Sequence, residues 1–413
     1  MNFSEAEAFL CNEKAQNIKP GTGRVTELLE RLGFPGRSIP LIHVVGTNGK
    51  GSTVTMLSSC LAASGVKTGS FLSPRLYGPS DYFRINGESP DPEAFVRAVE
   101  RVSLAASHMA DYPTEFELST VTALCLFEET DCRVMVLEAG MGGKMDATNL
   151  PYSSLLTVVT HIALDHTGYL GSTAEEILKE KLGIVKPFET VIMAENSSEL
   201  RLVAESGAKN TGYEVIFTDP LRDTGLFEQD LRLSGSYQRK NLRTVLTALS
   251  YLSELYPISE EHIRIGLRRA ELPFRFMLLR ENPDIIFDGG HNPDCIRVLT
   301  EALRERNENR RYVLVTGVMR DKAYAEMYRL LEPFAESFVT LTAPNSRALT
   351  AEELGMSLAS FGKPVFRAPS IAESAEFALK QWENGANILC AGSLYFMPEL
   401  YEEIRKRLES LRP

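Results

Sequence analysis

Gly46-Thr47-Asn48-Gly49-Lys50-Gly51-Ser52 gathers three glycines, a lysine and a hydroxyl on one short turn, between the apolar run Ile39 to Val45 and a stretch with helical patterning. This is the chemistry of a phosphate cradle. Glycines let backbone amides approach an anion, Lys50 adds a point charge, and a helix starting near Ser52 points its positive end at the same place. The hydroxyl of Ser52 or Thr53 is of the type that holds a magnesium ion beside such phosphates. The spacing departs from the standard phosphate loop because Gly51 separates Lys50 from Ser52. A plain glycine-rich strand-to-helix turn is the competing reading.

Five further features carry chemical potential. Ala174, Ile177, Leu178, Leu182 and Val185 form one apolar stripe on a helix expected over 173–185, and Lys181 falls inside it. A lysine there must snorkel out, find a buried partner or change its chemistry. Thr114 and Glu117 have the spacing of a helix capping box, which is a structural explanation sufficient for Glu117 on local grounds. His166 ends the run from Leu155 and either ligates a metal or caps the strand, whereas His43 and His161 lie within apolar runs and read as satisfied core residues. Asp288-Gly289-Gly290-His291-Asn292-Pro293 is a second acidic, glycine-containing turn, with Pro293 suited to a first helical position. Arg275 is of the type that reaches phosphates.

Alternating elements must hold these residues. Strands are expected at Leu41 to Val45, Val134 to Glu138, Leu155 to Ile162, Thr190 to Met193, Ile285 to Asp288, Tyr312 to Thr316, Ser337 to Thr342 and Asn387 to Ala391. Helices are expected near 53–64, 92–108, 116–129, 173–185, 237–255, 259–268, 293–306, 322–331, 350–360, 371–383 and 397–411. This alternation predicts an α/β fold with mostly parallel sheets covered by helices. A seam at Glu271-Leu272-Pro273 divides the chain into domains 1–272 and 273–413. The glycine-rich and acidic segments follow strands, where doubly wound sheets bind ligands.

Composition narrows the classes. A chain of 413 residues exceeds one usual core. With 44% hydrophobic and 24% charged residues it reads as an ordinary globular protein, and a formal charge of −11 argues against a nucleic-acid partner. Six cysteines without a Cys-x-x-Cys pair are expected to be reduced thiols. Glu5 and Glu7 stand where a secretory signal carries bases, and no apolar run is long enough to cross a bilayer, so no membrane partner and a cytoplasmic location are expected.

Taken together, Gly46 to Ser52, Ser73-Pro74, Phe116-Glu117, Leu137 to Gly143, Asp146-Ala147-Thr148-Asn149, Leu164 to Thr167, Glu180 to Ile184, Arg275-Phe276, Asp288, His291-Asn292-Pro293 and Asp321-Lys322 make the chain resemble the folylpolyglutamate synthase/dihydrofolate synthase family of the Mur ligase superfamily. The resemblance implies an N-terminal P-loop ATPase domain of Mur-ligase type, which also binds folate or pterin, and a smaller Rossmann-like C-terminal glutamate-ligase domain. It implies ATP contacts from Thr47, Asn48, Gly49, Lys50, Gly51, Ser52, Thr53, Asn241, Arg275, Asp288 and His291. Magnesium falls to Ser52, Glu117, His166 and Lys181, the last carbamylated by carbon dioxide, and potassium is a further expected ion. Lys50, Lys181 and His166 become the catalytic set, and Ser73, Pro74, Arg75, Asp146 and Asp321 the substrate-binding set. The implied substrates are ATP, L-glutamate and a dihydropteroate or tetrahydrofolate-type acceptor, handled by a monomer through an acyl phosphate.

Departures fall near the acceptor. Arg75 replaces a usual His, Lys144 a usual Arg, Tyr237 a common His and Phe274 a usual Gly, and the segment Asp81 to Gly87 is altered. Two alternatives follow: a ligase for a different carboxylate, and a catalytically silent nucleotide-binding relative. Because the glycine turn begins at Gly46, no long nucleotide-sugar domain is expected ahead of it, which counts against a cell-wall role.

Overall fold

The computed structural model describes residues 1–11, 15 and 19–410, so the end expected for the last helix at 411 lies outside them. The apolar runs form two sheets. The first contains β1 (Leu41–Val45), β2 (Thr68–Phe71), β3 (Phe83–Ile85), β4 (Val134–Glu138), β5 (Leu156–Val159), β6 (Thr190–Met193) and β7 (Glu214–Phe217), in the order β3-β2-β4-β1-β5-β6-β7. Only the β2–β3 pair is antiparallel. The second contains β8 (Met277–Arg280), β9 (Ile285–Asp288), β10 (Tyr312–Thr316), β11 (Ala335–Thr340), β12 (Val365–Arg367) and β13 (Asn387–Ala391), in the order β12-β11-β10-β13-β9-β8, with β8 antiparallel at the edge.

Contacts divide the chain into two compact units. One comprises Met1–Arg232 and Gln238–Glu271, the other Leu233–Tyr237 and Leu272–Pro413. The short strap Leu233–Tyr237 therefore groups with the second unit, although it precedes the seam by more than a helix. β1 and β4 are buried along their whole length, as parallel strands covered on both faces must be. Val44 pairs with Glu138 on one side of β1 and Val45 with Val159 on the other. The chain leaves β1 for β2 on one side of the sheet while β5 and β6 extend the other, so the carboxyl end of β1 lies at a topological switch point. Three loops meet there: those after β1, β4 and β5.

Where expectation and structure differ, backbone hydrogen bonding supplies the reason. β5 stops at Val159, short of Ile162, because the chain then turns to serve the glycine loop: the His161 carbonyl accepts from the amides of Thr47 (2.9 Å) and Asn48 (3.2 Å). His161, expected as a core residue, is accordingly exposed. His43 is buried and accepts or donates at Nε2 with the Thr148 hydroxyl at 2.7 Å, and burial pushes its imidazole down to about 3, so it stays neutral. The helices Phe3–Leu10, Gly23–Leu32 and Ser198–Thr211, and the short strands β2, β3, β7, β8 and β12, were not anticipated.

The helix after the glycine turn starts at Lys50 with Gly49 as its N-cap, at a left-handed φ of 88°. From Ser52 to Leu61 every residue is buried, because the helix Lys50–Ala63 lies between its sheet and the helices Gln238–Leu252 and Glu260–Arg269. Gly266 permits the last of these contacts: a Cβ there would stand 2.5 Å from the Cys60 Cα. Backbone cannot yield as a side-chain tip does. We predict that Gly266→Ala costs about 1–3 kcal/mol by overpacking, read as a lower denaturant midpoint at unchanged slope; an unaltered midpoint would show that the two helices separate freely.

Candidate active site

The first turn is built by glycine and by one carbonyl. Gly46 has a φ of 152°, and a Cβ on it would meet the Thr160 hydroxyl at 1.9 Å; one on Gly49 would meet Asn241 Oδ1 at 2.4 Å. A side chain at either position would be strained. Thr47 links the loops after β1 and β5, its hydroxyl donating to the Ala163 carbonyl at 3.0 Å. Lys50 Nζ donates to the Thr47 carbonyl at 3.1 Å, and the buried Ser52 hydroxyl accepts from Gln238 Nε2 at 3.2 Å. Asn241 in turn donates to Gln238 Oε1 at 2.8 Å. Thr53 Oγ1 is buried and makes no hydrogen bond.

Lys181 does not snorkel. It is 4% exposed on the helix Ala174–Leu182, and its Nζ donates to the Gly46 carbonyl at 2.7 Å. The loop after β4 closes over it: a Cβ on Gly143 would meet the Lys181 carbonyl at 2.3 Å, and the Lys144 amide donates to the Glu180 carbonyl at 3.0 Å. Burial, then the nearby charge of Lys50, push the Lys181 amine down to about 7, against the pull of Asp146, Asp165 and Glu180. A substantial fraction is thus the neutral amine near pH 7, the form that is nucleophilic.

The expected acids divide. Glu117 is 2% exposed and completes the capping box, accepting from the Thr114 amide at 2.7 Å, while Arg24 Nε holds its two oxygens at 3.0 and 2.9 Å. Glu138 ends β4 beside the glycine turn, 4% exposed, and accepts from the Ser73 amide at 3.0 Å. It belonged to a recognised block but received no role; an acid closing a buried strand next to a phosphate-type turn was the available signal. Asp146 is buried and accepts from the amides of Met141 (2.7 Å) and Thr148 (2.9 Å); burial pushes its carboxyl up, with Thr148, Met141 and Lys181 opposing. His166 sits half-buried after β5 in a left-handed conformation (φ 50°), its amide donating to Asp165 Oδ1 at 2.8 Å. Arg75 pairs with Glu115 at 2.7 Å, Pro74 is exposed, and Asp321 is exposed and pairs with Arg347 at 3.4 Å.

Among the described residues no group of three or more His, Cys, Asp and Glu gathers as a metal site. Magnesium bound with a nucleotide keeps waters and phosphate oxygens and takes only one or two carboxylates from protein. The Ser52 hydroxyl, the buried Glu138 and the unbonded Thr53 hydroxyl at the same turn match such a donor set.

In the second unit, Asp288 ends β9 and accepts from the amides of Phe276 (2.9 Å) and Gly290 (2.8 Å). Asn292 caps the helix Pro293–Asn307, and His291 Nδ1 lies 3.1 Å from the Gly289 carbonyl. Arg275 is flanked by Phe274 and Phe276 at φ 60° and 46°, conformations that glycine would adopt without strain. The buried Phe274 ring, packed on Phe287 and Tyr401, holds that bend in place.

The Mur ligase middle domain matches residues 44–248, and the glutamate ligase domain of Mur ligases matches residues 274–394. Fold and site thus define a Mur ligase. The dihydrofolate synthase/folylpolyglutamate synthase of Bacillus subtilis is 32% identical, covering 98% of this chain and 99% of that protein, and its Escherichia coli counterpart is 31% identical over 97% of this chain and 95% of that one. Escherichia coli FolC in complex with DHPP and ADP superposes with a TM-score of 0.86 at 29% identity, covering 99% of both chains. A bifunctional folylpolyglutamate synthase/dihydrofolate synthase with Mn, AMPPNP and L-glutamate bound gives 0.83 at 27% identity, over 97% of this chain and 98% of that one. The chain belongs to the dihydrofolate synthase/folylpolyglutamate synthase family. Among the described residues no helix is long and apolar enough to cross a membrane.

The lowered Lys181 amine has a testable sign. Between about 7, its folded value, and the ordinary lysine value the unfolded chain binds one more proton than the folded one, so stability rises with pH across that window and is flat below it. Removing the amine removes this slope. In buffer freed of carbon dioxide, denaturant titrations from pH 7 to pH 10 should show wild type gaining on Lys181→Met as pH rises; parallel curves would refute the depressed amine.

Proposed function

We propose that this chain is an ATP-dependent ligase that joins L-glutamate to dihydropteroate, to a reduced folate, or to both, through an acyl phosphate. The observation that carries the reading is the switch-point turn itself, which sets a buried amine, Lys181 on the Gly46 carbonyl, and a buried acid, Glu138, beside one phosphate-type loop. The names of the relatives and the glutamate, nucleotide and manganese of a solved neighbour support it.

On this reading the turn Thr47 to Thr53 takes the ATP phosphates, with the amides of Gly49 to Ser52 and the Lys50 ammonium as donors and Asn241 close to Gly49. The acceptor carboxylate attacks the γ-phosphorus and ADP leaves; Lys50 offsets the charge that accumulates on the transferring group. The glutamate amine then adds to the acyl carbon and inorganic phosphate departs, a far better leaving group than hydroxide. Magnesium, when bound, supplies added positive charge at the phosphates and would be held by Ser52, Glu138 and His166; potassium is a further ion of this reading. We assign the carboxylate to Glu138, which ends β4 beside the turn through the Val44–Glu138 pairing, ahead of Glu117, which belongs to the capping box. The neutral Lys181 amine adds to carbon dioxide and loses a proton, so that a buried cation site becomes an anionic carbamate. Residues 1–272 supply ATP and pterin binding, with Ser73, Arg75 and Asp146 toward the acceptor, and residues 273–413 supply Arg275, Asp288, His291 and Asp321. The protein acts as a cytoplasmic monomer.

One observation favours a second reading with another acceptor. The altered positions are joined: Glu115 takes both Arg75 and, at 3.4 Å, the Tyr82 hydroxyl, so the acceptor side differs as a linked set.

The deciding assay offers ATP, magnesium and labelled glutamate with dihydropteroate or tetrahydrofolate. Product with at least one is expected; ATP binding with product from neither sinks the folate assignment. Glu138→Gln should lower kcat by about 100-fold or more at little cost in stability. Glu117→Ala should instead cost about 1–3 kcal/mol in folding by leaving the Thr114 amide without its acceptor, while Arg24 keeps Asp111 at 3.0 Å. Lys181→Ala should be nearly inactive and partly rescued by a short carboxylic acid; full activity would exclude the carbamate.

A further inference from the structure

Three observations show that Tyr237 is seated rather than incidental. Its hydroxyl lies 3.2 Å from Asp288 Oδ2 and donates to it, the third donor to that carboxylate after the Phe276 and Gly290 amides. Its ring packs on the core of the second unit, with Phe276, Ile286 and Ile296 in that cluster. Gly235, at φ 99°, makes room for it: a Cβ there would meet the Tyr237 ring at 2.6 Å. The next residue, Gln238, belongs to the first unit and opens the helix Gln238–Leu252. Its amide donates to the Ser52 hydroxyl and receives Asn241, the residue that closes on Gly49. Tyr237 is thus anchored on the turn that carries Asp288, and Gln238 on the turn that carries Ser52, each within its own unit.

We propose that Tyr237 is a positioning residue for nucleotide use: its hydroxyl fixes the Asp288 carboxylate at the turn that follows β9. The inference rests on the reading that both turns serve ATP. Burial pushes the Asp288 carboxyl up, while Arg275, the Gly290 and Phe276 amides and Tyr237 oppose it. The Tyr237 hydroxyl is itself raised by burial and by Asp288, with Arg275 and Cys295 also near, and Asp294 and the His291 backbone stand close to Cys295. Removing the hydroxyl takes a donor from the charged form of Asp288, so that Asp288 protonates at higher pH.

The test compares wild type, Tyr237→Phe, Tyr237→His, Asp288→Asn and the Tyr237→Phe/Asp288→Asn double variant, using ATP with magnesium. Tyr237→Phe should raise KM for ATP about fivefold or more, the size one hydrogen bond supports, with kcat within about twofold. The acid limb of kcat/KM for ATP should move up by about half a unit or more, and Tyr237→His should return it toward wild type. In calorimetric titrations with ATP, Tyr237→Phe should have no further effect once Asp288 is Asn. An unmoved acid limb accompanied only by a lower melting temperature, or additive losses in the double variant, would overturn the proposal. Wild type that binds no ATP defeats the functional reading itself; wild type that binds it while Tyr237→Phe binds equally well defeats only this inference.

Discussion

A charged nitrogen cannot lie in an apolar helix stripe without either a partner or a change of state, and the first unit is organised around that demand. Lys181 meets it with the carbonyl of Gly46, a residue distant in sequence that follows β1. The carbonyl is available because Gly46 adopts a conformation closed to side chains, against Thr160. Gly143 lets the loop after β4 descend onto the same lysine. Buried β-strands, glycines and lysine are thus parts of one arrangement, and a change in any of them reaches the nucleotide turn.

The strained stretch around Arg275 shows the same logic in the second unit. Phe274 and Phe276 hold left-handed backbone that costs about 1–3 kcal/mol each, while full burial of a phenylalanine side chain contributes a comparable 1.5–3 kcal/mol or so. Packing of Phe274 against Phe287 and Tyr401 offsets the bend beside Arg275. A glycine at 274 would bend as easily but would hold nothing in place.

How much of this could be read in advance followed the range of the interactions. The glycine turn, the buried strands β1 and β4 and the Lys181 stripe are local patterns with unmistakable periods, and they were legible. The short edge strands β3, β8 and β12 are half-buried, with no strong period, and were not. His161 looked like core because its neighbours are apolar, yet its carbonyl is claimed by the amides of Thr47 and Asn48, a pairing no window of residues contains. Glu117 and Glu138 show the limit most plainly. Spacing alone revealed a capping box at the first, and only the pairing of Val44 with Glu138 brings the second beside the turn.

The strap Leu233–Tyr237 makes the second unit discontinuous: the backbone passes between units after Arg232, after Tyr237 and after Glu271. A fragment begun at Leu272 would lack the ring that packs on the second unit's core and the hydroxyl that reaches Asp288. No single cut yields two whole pieces, so recombination that exchanges C-terminal halves at the seam would graft a lobe missing part of its own wall, and inheritance of the two lobes is bound together by five residues.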